Sequence, residues 1–186
     1  MIAGPSGVGK GTLVRRLREL EPGLYVSVSV TTRRPRPEER DGVDYFFIDD
    51  EGFDRLIAED ELLEWAEIFG HRSGTPARPI RDVRREGRDA VLEIDVQGAA
   101  IVRSKVADAV LILLVPPSLG ELERRLRTRA TEDEEKLARR LARAEWEITQ
   151  GEWFDHQIVN DDLERASSQV AAMIGASRPD PKDPSG

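Results

Sequence analysis

Cysteine is absent from this chain of 186 residues, which removes disulfide staples and thiolate metal sites at once. Long hydrophobic runs are missing too: the longest, AVLILLV from Ala109 to Val115, is far too short to span a bilayer, and no basic segment followed by an apolar stretch opens the chain. Export and membrane insertion are not expected, and the reading is a cytoplasmic protein. Positive charge is in deficit, with 28 Lys and Arg against 36 Asp and Glu for a formal net charge of -8. That balance opposes non-specific attraction to nucleic acid or to an anionic membrane, so any polyanion bound must be small and met by local clusters of cations. With 39% hydrophobic residues, the length suits one core rather than two.

What is present reads as alternating strands and helices. Met1 to Ala3 ends a strand, and Gly9 to Glu21 is a helix with Leu13, Val14, Leu17 and Leu20 at helical spacing. YVSVSVTT (Tyr25 to Thr32) and DYFFI (Asp44 to Ile48) are strands around a loop carrying Arg33, Arg34 and Arg36. A short helix through Phe53, Leu56 and Ile57 leads to LLEWAEIF, then a Gly/Pro loop, then a helix starting near Pro76 or Pro79. AVLEIDV, from Ala90 to Val96, and AVLILLV are further strands, the second apolar throughout, as a strand buried on both faces must be. Two charged helices follow, with a break near Thr128 to Asp133 that suits a lid hinge; FDHQIVNDD gives a last strand and Leu163 to Ile174 a closing helix. The expected class is α/β, a parallel sheet flanked by helices. The tail, residues 177–186, has no apolar anchor and is expected to be disordered.

GPSGVGKGT carries the chemistry. Gly4, Pro5, Ser6, Gly7, Val8, Gly9 and Lys10 match a phosphate loop, in which small residues let backbone N–H groups converge on an anion and the lysine reaches the terminal phosphates. A glycine-rich turn ahead of a helix is the plain alternative, and the strand before and helix after argue against it. The hydroxyl that normally follows the lysine to touch Mg2+ is replaced by Gly11 and arrives one residue later, as Thr12. Thr12 is the candidate metal contact, through water, with phosphate oxygens completing the shell. A second cluster, Ser29, Arg33, Arg36 and Tyr45, supplies two permanent cations and two hydroxyls for a second phosphate. Two phosphate sites imply phosphoryl transfer between two nucleotides. An Arg/Pro-rich loop is otherwise ordinary solvated surface.

In GPSGVGKGT, SVSVTTRRPRPEERDGVDYFF, LLEWAEIFG, LEIDVQGA, the Arg-rich stretch and QIVNDDL, in that order from Gly4 to about Ile174, the chain resembles the guanylate kinases. The resemblance implies a P-loop kinase core over residues 1–176, with a GMP-binding subdomain at about 30–85 and a helical lid at about 125–144. It implies transfer of the γ-phosphate of ATP to GMP, with Mg2+ as cofactor. By the same resemblance Ser29, Arg33, Arg36 and Tyr45 would hold the GMP phosphate, and Glu64, Thr75 and Glu93 would read guanine. Asp95 would lie near metal and phosphates, and Lys10, Arg36, Arg129 and Arg140 would stabilise the transferring group; the other lid arginines are expected to do no more than support exposed helices through pairs three or four residues apart. Carboxylates suit guanine, whose N1–H and N2–H₂ are donors where adenine's N1 presents a lone pair. Rival readings are a non-catalytic guanylate-kinase-like module that binds a protein, which should have lost some of these cations, and a related kinase acting on another phosphorylated acceptor.

The chain departs from the family at four places. Ser73 stands where a tyrosine usually precedes Gly-Thr, and a lost hydrogen bond to a charged group is worth about 1.5–3 kcal/mol, roughly tenfold to a hundredfold in GMP affinity. Glu93 replaces a frequent aspartate, and Thr128 and Ala130 flank Arg129 where glycine is common. The first strand is short, each residue lost removing ladder hydrogen bonds and apolar burial beneath the phosphate loop. On that ground a start upstream of Met1, or a shortened product, is expected. The chain should therefore melt below a version extended by four to six apolar residues, and equal melting temperatures would contradict this.

Overall fold

The computed structural model describes residues 1–129 and 134–176, the Arg129 side chain excepted. Most of the expected lid break and the whole tail lie outside them.

β1 (Ile2–Ala3), β7 (Ala90–Val91), β8 (Ile112–Val115), β9 (His156–Val159) and β2 (Tyr25–Val26) make the core. β1 pairs in parallel with β8, β8 with β9, and β2 with β7. Ile2 closes the gap, its N–H donating to the Leu92 carbonyl and its carbonyl accepting from Ile94 N–H. The result is a parallel sheet in the order β2-β7-β1-β8-β9. Alternation explains the apolar run: Ile112 and Leu114 pack on one face with Leu13, Leu17 and Val170, while Leu111, Leu113 and Val115 pack on the other with Val96, Ala99 and Val102. α1 (Lys10–Leu20) and α7 (Leu163–Ala176) cover the first face, and α4 (Val96–Lys105) lies on the second.

A second, mixed sheet has the order β4-β3-β6-β5, from β3 (Ser29–Thr31), β4 (Tyr45–Phe47), β5 (Leu62–Ile68) and β6 (His71–Pro76). α2 (Asp50–Ala58) closes it, with Phe53 fully buried among Val30 and Leu62. α3 (Ala77–Arg85) leads back to the core. α5 (Leu119–Arg129) and α6 (Glu134–Thr149) form a helical pair around Leu122, Leu126, Leu137 and Ala144.

Three local expectations are corrected. Tyr25 to Thr32 is two strands: Ser27 N–H still bonds to the Val91 carbonyl of the core, but Ser29 already pairs with Tyr45 in the second sheet. The Gly/Pro loop around RSGTP is strand β6, antiparallel to both β5 and β3. AVLEIDV is strand only at its start; Asp95 leaves it to cap α4, its carboxylate accepting from Gly98 N–H at 2.8 Å, and an aspartate able to satisfy an open helix end outweighs the β-branched valine that follows.

Candidate active site

One cleft of about 980 Å³ runs between the two sheets and under α6, lined by Ser6, Lys10, Thr12, Arg33, Arg36, Tyr45, Glu64, Glu93, Asp95 and Arg140 among others. Most of the residues singled out from sequence thus share one space. Thr75 is fully buried behind the cleft wall.

At the donor end, the phosphate loop leaves β1 and enters α1 at Gly9, whose φ of 103° suits glycine and aims the first N–H groups of the helix into the cleft. Lys10 Nζ donates to the Gly4 and Pro5 carbonyls at 2.6 and 3.1 Å, folding the side chain along its own loop. The loop is held from outside by groups that sequence reasoning missed. Asn160 Nδ2 donates to the Val8 carbonyl at 2.8 Å, and Arg125 bonds both that carbonyl and the Asn160 carbonyl. Arg125 is therefore more than a surface pair, although it does also pair with Glu121. QIVNDDL was the available signal for Asn160; its side chain could be placed only once β9 was known to end beside the loop. Arg140 Nη2 reaches Ser6 Oγ at 2.6 Å. Thr12 is exposed on the first turn of α1, and a β-carbon placed on Gly11 would lie 3.5 Å from Glu93 Oε2. No group of three or more His, Cys, Asp or Glu able to hold a metal occurs among the described residues. The hard oxygens of Thr12 and Glu93 beside the loop fit a Mg2+ held mainly by phosphates and water.

Along the second sheet, register sets Ser29 against Tyr45 on neighbouring strands. Arg33 lies 5.1 Å over the Tyr45 ring and forms a two-pronged ion pair with Glu39 at 2.8 and 3.0 Å, while Arg36 reaches Glu39 through both its guanidinium and its backbone N–H. Glu39, also missed from sequence, fixes both cations. Those bonds outweigh its partial burial and hold its carboxyl below the usual range. Burial, with the charge of Glu93, raises the Tyr45 hydroxyl, which therefore stays a donor at neutral pH. Ser73 Oγ donates instead to Thr31 Oγ1 at 3.0 Å.

The part of the cleft around Gly98 is the most distinctive. Glu64 is only 4% exposed and accepts from Thr75 Oγ1 at 2.6 Å. Asp95 arrives from the other side, and both acids close around Gly98: a β-carbon there would lie 2.5 Å from Glu64 Oε2 and 3.2 Å from Asp95 Oδ1. Only glycine admits so close an approach. Desolvation, opposed by Thr75 and reinforced by the Asp95 charge, pushes the Glu64 carboxyl up to about 7. The sequence reading paired Glu64 with Glu93; the fold puts Asp95 beside Glu64 at Gly98, and Glu93 beside Gly11.

A guanylate kinase family model matches residues 1–177. The chain belongs to the guanylate kinase family. It is 51% identical to the guanylate kinase of Thermosynechococcus vestitus, over 96% of this chain and 94% of that protein, and 43% identical to that of Carboxydothermus hydrogenoformans, over 98% and 89%. The fold is similar to the crystal structure of guanylate kinase from Anaplasma phagocytophilum, with a TM-score of 0.82 and 34% identity, covering 97% of this chain and 87% of that one.

The Glu64 carboxyl has a measurable consequence. Between its ordinary value of 4.5 and about 7 the folded chain keeps a proton that the unfolded chain has lost, so stability falls as pH rises through that window. The E64Q variant removes this dependence: below pH 4.5 it should match the parent in denaturant unfolding, and at pH 8 it should be more stable by up to about 3 kcal/mol. A stability difference independent of pH would contradict it.

Proposed function

We propose that the chain moves the γ-phosphate of ATP to GMP through a cleft that grips phosphates by cations at its middle and guanine by buried carboxylates at one end. The observation that carries this reading is the Glu64–Asp95 pair around Gly98, because two closely placed carboxylate acceptors, largely withdrawn from solvent, suit a base edge rich in donors. Thr75 orients Glu64 from behind. Adenine in the same pocket would leave a lone pair facing a carboxylate, and a buried unpaired acceptor is disfavoured by about 1–3 kcal/mol or more.

Phosphoryl transfer needs little covalent help, so alignment and charge neutralisation carry the rate. The phosphate loop with Lys10 holds the ATP phosphates, and Arg33, Arg36, Ser29 and Tyr45 hold the GMP phosphate. Arg36 and Arg140, with Arg129 by resemblance, spread the charge of the transferring group. Mg2+, when bound with ATP, supplies further neutralisation; Thr12 and Glu93 are the side chains that would hold it, directly or through water. For Lys10 to reach ATP it must give up the Gly4 and Pro5 carbonyls, an exchange of neutral acceptors for phosphate oxygens that favours the bound state. The same reading sets the reaction in the cytoplasm, where ATP and GMP are found.

The protein-binding module is disfavoured because Lys10, Arg33, Arg36 and Arg140 all line the cleft. ADP formation from ATP and Mg2+ should depend on GMP, with AMP and UMP at least a hundredfold poorer in kcat/KM, as expected when donors and acceptors are mismatched in a buried site. Equal turnover with AMP would overturn the guanine assignment, and a folded sample inactive with every acceptor would favour the binding module.

A further inference from the structure

Helix α6 touches both ends of the cleft. One turn carries Arg140 to Ser6 of the phosphate loop, and the next carries Arg143 to Asp95 of the base pocket, Nη2 to Oδ2 at 3.3 Å. Three residues apart, the two arginines lie on one face of the helix. The Arg143 side chain is well anchored: Nε donates to Glu147 Oε1 at 2.9 Å, and the guanidinium lies 4.9 Å over the Trp146 ring. Glu147 is itself 4% exposed and feels the charge of Lys10. Sequence spacing gave no reason to separate Arg143 from its surface-facing neighbours; only the packing of α6 over the cleft turns it inward.

Asp95 has two tasks that pull on different oxygens. Oδ1 caps α4 through Gly98 N–H, and Oδ2 takes the bonds from Arg143 and from Gln97 Nε2, both at 3.3 Å. We propose that Arg143 is a positioning residue: it holds the Asp95 carboxylate in place for the acceptor base and thereby ties the position of α6 to occupancy of the base pocket. A cation on Oδ2 keeps Asp95 oriented beside Glu64 without closing the carboxylate off, since Arg143 comes from the cleft-roof helix and is itself 28% exposed in its side chain. The helix that brings Arg140 to the donor loop is then seated in part by the residue that reads the acceptor.

This inference rests on the reading of Asp95 as a base-contacting group, and one experiment separates the two. Steady-state KM for GMP and for ATP, with kcat, are measured for R143Q, R143K, D95N and the double variant R143Q/D95N, each checked for an unchanged melting temperature. R143Q should raise KM for GMP about three- to tenfold while leaving KM for ATP within about twofold, as suits a partly exposed ion pair. R143K, which keeps the charge, should recover part of the loss. The double variant should be no worse than D95N alone, because the two residues act through one contact. If D95N leaves KM for GMP unchanged, the base-pocket reading falls and this inference with it. If D95N raises that KM while R143Q does not, or if the two effects multiply, the inference alone is overturned. A fall in apparent kcat that tracks lost folded protein, with both KM values unchanged, would likewise overturn it, by making Arg143 structural.

Discussion

Everything in this cleft depends on placing anions beside anions. An acidic chain must bring two nucleotide phosphates together, and in the proposed function it also offers carboxylates to one of the bases. At two places it keeps cation and carboxylate in contact: Glu39 with Arg33 and Arg36, and Asp95 and Glu147 with Arg143. Each guanidinium is oriented before substrate arrives, which lowers the ordering entropy left for binding. In the proposed function a phosphate arriving at Arg33 and Arg36 competes with Glu39 rather than with bulk water. It meets a site already shaped for a two-pronged anion.

The architecture follows from the same need. The parallel core ends its strands at the phosphate loop, a helix N-terminus suited to anions. The second sheet carries Ser29, Tyr45, Glu64 and Thr75 on β3, β4, β5 and β6 and has its own small apolar cluster around Phe53. α5 and α6 bury Leu122, Leu126 and Leu137 between themselves. The reacting groups therefore meet in polar space between separately packed parts, where closure can exclude water without rearranging a core.

Much of this was legible in the sequence where a local rule acted alone. The glycine spacing of the phosphate loop and the apolar AVLILLV each admitted few readings. Legibility failed where a long-range partner decided. Tyr25 to Thr32 looked like one strand because both halves alternate; they serve different sheets. Asp95 looked like a strand residue because apolar neighbours surround it, yet its carboxylate is spent on a helix cap and on Arg143. Glu39 and Arg143 were hidden among ordinary charged residues, since spacing does not tell which member of a charged helix or loop faces a cleft. Glu64 was recognised by resemblance, but its raised titration comes from burial and from Asp95, neither visible in LLEWAEIF.

The proposed role of Glu64 as an acceptor for guanine carries a proton with it: a carboxyl kept partly protonated by burial must ionise when the base fills the pocket. Calorimetric titration of GMP at pH 7, repeated in buffers of different ionisation enthalpy, reads the protons exchanged on binding, and E64Q subtracts those belonging to the phosphate. With a carboxyl near 7 about half of the Glu64 sites hold a proton at that pH, so the parent should release about half a proton more than E64Q. Identical proton exchange by the two proteins would contradict the account.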